Sequence, residues 1–178
     1  MRFSEFLRTT VLLSGASASA LGVLTLVAAS ATGQNLVVVI AAGWWLLATA
    51  AGSWMGRRPV TSSPIAGLLS GARTQSSLPE LHPARTVLNR LWPLLICTIG
   101  AGALALLVPQ VPAIAAGFAI IWSLAWRRQP HAVTAIEERD GARFYVAPTS
   151  PLAPIKLVRT PGFRSNLLEH RAAARQGR

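Results

Sequence analysis

Four long apolar stretches organise this chain, at residues 10–30, 36–55, 91–108 and 111–126, and none of them contains Asp, Glu, Lys, Arg or His. An α-helix rises 1.5 Å per residue, so about 20 apolar residues cross the hydrocarbon core of a bilayer and about 17 do so at the short end. A soluble protein built from such runs would have no water-facing surface. The pattern predicts four transmembrane helices. The last stretch is the shortest, at 16 residues, and a re-entrant or tilted segment is the alternative for it. Pro112 in its first turn suits either form, because the N–H that proline lacks has no helical partner there.

The polar segments between the runs set the connectivity. Residues 31–35 join the first two runs, Pro109-Gln110 joins the last two, and residues 56–90 form a longer link. The expected arrangement is two tight hairpins, a membrane domain over residues 1–128 and a basic tail over 129–178. Arg2 and Arg8 precede a run that ends in Ala29-Ser30-Ala31, the small-x-small form of a signal-peptidase site. That run is longer than the ~7–15 residues of a signal peptide, and another begins at once, so it reads as a retained span.

Charge then gives the helices a direction. Of the 17 basic residues, Arg2 and Arg8 precede the first run, Arg57, Arg58, Arg73, Arg85 and Arg90 lie in the long link, and the other ten follow the fourth run. The two short connections have none. Lys and Arg flanking spans stay on the cytoplasmic side, so both termini are expected in the cytoplasm of a bacterial plasma-membrane protein, with Arg57, Arg58, Arg90, Arg127 and Arg128 as topology anchors. Composition agrees, at 52% hydrophobic and 13% charged with a positive mean hydropathy. The net charge of +11 is spread over span flanks and a tail, which suits anionic lipid headgroups better than nucleic acid.

Within the runs, small residues recur at i, i+3, i+4 and i+7. Gly15, Ala18, Ser19 and Gly22 share one helix face, as do Thr98, Ala101, Gly102 and Ala105. In lipid, where no hydrophobic drive joins helices, such faces allow close backbone approach and are the expected packing surfaces. Trp54, Trp92, Trp122 and Trp126 read as headgroup-level anchors, and Trp44 and Trp45, near mid-span, as interhelical packing residues whose indole N–H groups need partners. Ala41-Ala42-Gly43 and Ala115-Ala116-Gly117, each followed by tryptophans and an Arg pair, read as a chance likeness of two Ala/Gly-rich helices. Cys97, the single cysteine, excludes an internal disulfide and reads as a packing residue. His82 and His131 lack metal-spaced partners and read as solvated loop residues.

Outside the spans, Ser63-Pro64 opens a short surface helix, and His82-Pro83 begins a cytoplasmic extension of the third span, bent by Pro93. In the tail, residues 132–139, Asp140-Gly141 and residues 142–146 fit a β-hairpin with a type I′ turn, Glu138 facing Arg143. Its apolar side chains, Val133, Ile136, Tyr145 and Val146, need a cover, either a third strand at residues 155–158 or a partner protein docking at Ile136, Gly141 and Tyr145. Prolines at residues 148–154 suggest an extended linker, and Ser165 opens a final basic helix. The motifs Glu137-Glu138-Arg139-Asp140-Gly141-Ala142-Arg143-Phe144-Tyr145-Val146 and Ser150-Pro151-Leu152 onward to Phe163 resemble the tails of uncharacterised small four-span membrane proteins of high-GC Gram-positive bacteria. That likeness brings no established activity.

Chemistry adds little to this picture. Membrane enzymes and pumps carry ionisable groups within their spans, and the proton-coupled four-span drug exporters require an embedded carboxylate absent from these runs. Glu137, Glu138 and Asp140 are close in sequence, but neighbouring strand residues point to opposite faces. No nucleophile, phosphate-loop, cofactor or metal motif is present. The expectation is a non-enzymatic, all-α membrane protein with a small cytoplasmic β-hairpin, acting as a subunit or scaffold beside a protein partner or further copies of itself. The alternative is a transport component for an uncharged or lipid-like solute.

Overall fold

The computed structural model describes residues 1–57, 63–74, 83–105, 107–147 and 154–161. Arg58, His82, the proline linker up to residue 153 and the expected helix after Ser165 lie outside them. The elements are α1 (Phe3–Ala31), α2 (Asn35–Met55), α3 (Ser63–Ser70), β1 (Arg73–Thr74), α4 (Pro83–Leu104), α5 (Gln110–Trp126), α6 (Gln129–Asp140), β2 (Ala142–Val146) and β3 (Leu157–Pro161). Three helices, α1, α2 and the Ala84–Leu104 part of α4, are long and apolar enough to cross a membrane. The fourth apolar run forms α5, whose 17 residues extend only about 26 Å.

Helix α1 starts well before its apolar run. The Arg2 N–H donates to Glu5 Oε2 at 3.3 Å, which satisfies one of the donors that a helix start leaves unpaired, and the Phe6 N–H donates to the Arg2 carbonyl at 3.0 Å as the first helical bond. The early turns also bury Phe3, Phe6 and Leu7. Further along, Thr10, Ser19, Thr25 and Thr98 each donate to the carbonyl four residues back. Helices in hydrocarbon can thereby carry hydroxyls without leaving them unsatisfied.

The closest helix packing does not follow sequence order. Helix α5 lies against both α1 and α2, and α1 and α2 touch each other far less. The Trp45 indole N–H donates to the Ala113 carbonyl at 2.9 Å and that of Trp44 to the Ile114 carbonyl at 3.3 Å. Gly117 lies beneath the Trp44 ring, where a Cβ would collide with it, and a Cβ on Gly52 would come within 3.0 Å of the Ile121 backbone. A Cβ on Gly56, one turn further on, would collide with the Leu124 carbonyl oxygen. Glycines thus bring α2 and α5 into near-backbone contact.

At one end of the bundle the Gln110 side-chain amide reaches Gln34 Oε1 at 3.4 Å. At the other, Arg128 Nη1 donates to the Arg57 carbonyl at 2.9 Å, and a cap is built on the helix ends. Its sheet has the order β1-β3-β2, with β3 parallel to β1 and antiparallel to β2, Tyr145 opposite Val158. The N-terminus closes the outer edge of β2, since the Val146 N–H donates to the Met1 carbonyl at 3.1 Å and Arg2 bridges Tyr145. Phe3, Phe6 and Leu7 of α1, Ile65 of α3, Leu91 of α4, Val133 of α6, and Phe144, Val146 and Leu157 of the sheet form one buried cluster.

The expected β-hairpin is corrected here. Residues 132–139 belong to α6, and Gly141, at φ 59°, is the left-handed residue that ends it. Asp-Gly supplies positive φ to a hairpin turn and to a helix C-terminus alike. The local sequence permits the helix, since Pro130 stands in its first turn and Ala132, Ala135, Glu137, Glu138 and Arg139 favour it, and the pairing of residues 142–146 with β3 decides for it over the hairpin. Residues 142–146 are a strand as expected, but its partner is β3, so Glu138 and Arg143 do not face each other across a ladder. The short helix at Ser63 and the extension of the third apolar run from Pro83 are both present.

Candidate functional site

The two stripes of small residues occupy different surroundings. Along α1 the buried row is Ser14, Ser17, Ala18, Leu21, Thr25 and Ala29. Ala18 belongs to it, Gly15 and Gly22 flank it, and Ser19 is exposed. A Cβ on Gly15 would touch Ser123 Oγ at 3.5 Å, and one on Gly22 would touch the Trp45 ring at 3.6 Å. Ser123 in turn donates to the Val11 carbonyl at 3.3 Å. Along α4, Ala101 and Ala105 are buried and Thr98 and Gly102 half-buried. Ala101 packs with Leu21 and Ala116, and Gly102 faces Leu24.

The glycines of the α2–α5 contact, Gly52, Gly56 and Gly117, escaped the sequence reading. Gly52 and Gly56 do stand at G-x-x-x-G spacing, which was the available signal. Among the topology anchors, Arg57, Arg127 and Arg128 are exposed at the cap end and Arg90 is half-buried.

The docking residues proposed from sequence are used internally. Tyr145 is buried, Ile136 packs on the cap core, and Gly141 terminates α6. Beside them a cleft of about 300 Å³ is bounded by Leu69, Ile136, Phe144, Arg139, Asp140 and Arg159. Arg139 Nε contacts Asp140 Oδ1 at 2.8 Å and holds that carboxyl below its ordinary value. Glu137 Oε1 accepts the Phe144 N–H at 3.0 Å. Burial nevertheless raises the Glu137 carboxyl above its ordinary value, against the pull of that N–H, Arg2 and Arg143. With Glu138 exposed, the three tail carboxylates have separate surroundings and share no site. Among the described residues no group of His, Cys, Asp and Glu is placed to hold a metal ion.

A larger chamber, about 680 Å³, lies where α4 stands away from α1 and α5. Its walls include Leu7, Ser14 and Leu21 of α1, Leu94 and Cys97 of α4, and Phe118 and Trp122 of α5, with Ile65 and Leu68 of α3 over one end and Arg90 beside them. Phe118 and Trp122 line it while remaining 61% and 52% exposed, so the chamber opens sideways along α5. Cys97 is exposed rather than packed. The size falls within the ~300–1,000 Å³ of small-molecule sites, and the nearly all-apolar wall suits a ligand of the same character. Comparison with protein-family models, curated proteins and solved structures gave no match.

Proposed function

We propose that this chain is a non-catalytic, four-span protein of the bacterial plasma membrane, with both termini cytoplasmic, that serves as a subunit or scaffold of a larger membrane assembly. The observation that carries the reading is the core shared by cap and bundle, which fixes a cytoplasmic surface rigidly to membrane helices. The ends of the bundle support the orientation: the two uncharged connections meet through Gln34 and Gln110, and the arginine-rich ends meet through Arg57 and Arg128. In this reading α5 crosses as a short fourth span sheltered by α1 and α2, and the basic residues face anionic headgroups. The likeness of the tail to those of small four-span proteins of high-GC Gram-positive bacteria agrees with that location.

The partner docks in the cleft between Ile136, Arg139 and Arg159, which suits an acidic segment with an apolar anchor. Purification of the full chain in mild detergent should recover a second protein in fixed stoichiometry. Arg139→Glu with Arg159→Glu should release it without loss of membrane insertion. Recovery of the wild-type chain alone would remove the reading.

A second reading, a transport component for an uncharged or lipid-like solute, is favoured by the chamber. It requires that the chain, alone in liposomes, move such a solute.

A further inference from the structure

Among the described residues, Ser14 carries the buried side-chain polar atom that lacks a partner. It is 1% exposed, its Oγ has no hydrogen-bond partner, and it lies in the wall of the chamber. Thr25, buried further along α1, donates to the Leu21 carbonyl at 2.8 Å. An unpaired buried hydroxyl costs free energy on the scale of a lost hydrogen bond. Water is a poor remedy, because a stable buried water needs two to four polar partners and the other hydroxyls of the chamber wall, Thr10 and Thr98, already donate to the Phe6 and Leu94 carbonyls.

The chamber's position identifies a better occupant. Its side opens past Phe118 and Trp122, on the outer surface of apolar helices, so what enters comes from the hydrocarbon phase. Its cap end carries Arg90, which follows the positive-inside side of the sequence. From the level of Leu7, where Leu91 packs, α1 rises about 10 Å to Ser14 and about another 10 Å to Leu21. A molecule lying along α1 therefore meets a cation first, then a hydroxyl, then hydrocarbon wall. That order of charge, polar linkage and chain is the order of groups in an anionic acyl lipid.

We propose that the chamber holds one acyl chain of an anionic membrane lipid. The headgroup lies beside Arg90, an acyl carbonyl accepts a hydrogen bond from the Ser14 hydroxyl, and the chain runs against Leu21, Leu94 and Phe118. The site rests on the membrane location and orientation proposed above, and on neither the scaffold nor the transport role, since a lipid held in this way serves equally as structural ligand or as cargo.

Reconstitution of the full chain in vesicles of equal parts phosphatidylcholine and phosphatidylglycerol, followed by mild-detergent extraction and native mass spectrometry, tests the proposal. The expected result is one retained phosphatidylglycerol per chain. Ser14→Ala, which removes one oxygen and leaves the packing intact, should reduce retention about fivefold, the loss of a single hydrogen bond. Arg90→Gln should remove the preference for phosphatidylglycerol over phosphatidylcholine. Ala119→Phe, which fills the chamber, should abolish retention, and an unchanged circular dichroism spectrum would show that the variant is folded. Absence of bound lipid from the wild type, or equal retention by Ser14→Ala, would overturn the proposal. Lipid-free dimers, with a second copy covering the opening, would overturn it as well.

Discussion

Gly141 shows how a single residue sets the outcome of the tail. Its positive φ ends α6 and starts β2 in register with β3. A side chain in that conformation costs about 1–2 kcal/mol, and valine, branched at Cβ, tolerates it least. Gly141→Val should therefore loosen the cap while α1, α2 and α4 still insert, which limited proteolysis of membrane vesicles would detect as faster cleavage between residues 141 and 157. Glu137 makes a second prediction at this scale. Its folded-state value lies above the ordinary 4.5 because burial outweighs the Phe144 N–H and the two arginines. A carboxyl shifted upward contributes its stability below the unfolded value and loses it as pH rises through the folded value. Glu137→Gln keeps an oxygen for Phe144 and cannot ionise. Thermal unfolding of the cap should then fall less between pH 4.5 and neutrality in the variant than in the wild type. Parallel curves would show that the shift has no energetic weight.

At the scale of elements, shape rather than hydropathy pairs the helices. Helix α1 turns Gly15 toward Ser123 and Gly22 toward Trp45, while Ala16 and Ala20 are exposed. Leucine at Gly15 and Gly22 together should therefore overpack the bundle and cost roughly 1–3 kcal/mol per site. Leucine at Ala16 and Ala20 should cost far less, with insertion energy matched between the two variants. Heating in detergent followed by size-exclusion chromatography measures the difference, and equal loss of the folded peak in both would contradict the packing of this face. The sequence made both stripes visible. It did not make visible that α2 meets α5 through Gly52 and Gly56, since that depends on which helix becomes its neighbour.

For the whole molecule, connectivity and contact give a common geometry. Met1 and Arg2 join the sheet that also contains Val158, and Arg128 reaches Arg57, so the N-terminus, the end of α2 and the tail share one end of the bundle. Reporters fused after residue 58 and at the C-terminus should accordingly behave as cytoplasmic. Insertions at Thr32 and Gln110 should behave as external. An external C-terminus would break the orientation argument, and an external reporter at residue 58 would break the pairing of α1 with α2 across the membrane. The apolar outer surface, on which Leu107 is 78% and Leu46 73% exposed, suits hydrocarbon on the same reasoning.

The sequence by itself determined the long apolar helices, the short turns at Gly33 and Pro109, the α3 helix at Ser63-Pro64 and the strand at residues 142–146, because each follows from local composition and backbone preference. It left open which elements meet. Asp140-Gly141 fits a hairpin and a helix end equally well, and the choice was made by β3, sixteen residues beyond, together with the first turns of α1, which cover the sheet. Trp44 and Trp45 announced a need for hydrogen-bond partners but not that α5 would supply them, through carbonyls at Ala113 and Ile114. The chamber was hidden for the same reason: Ser14, Arg90 and Phe118 belong to three helices, and a cavity exists only in the gap left when α5 packs closely on α1 and α2 and α4 does not.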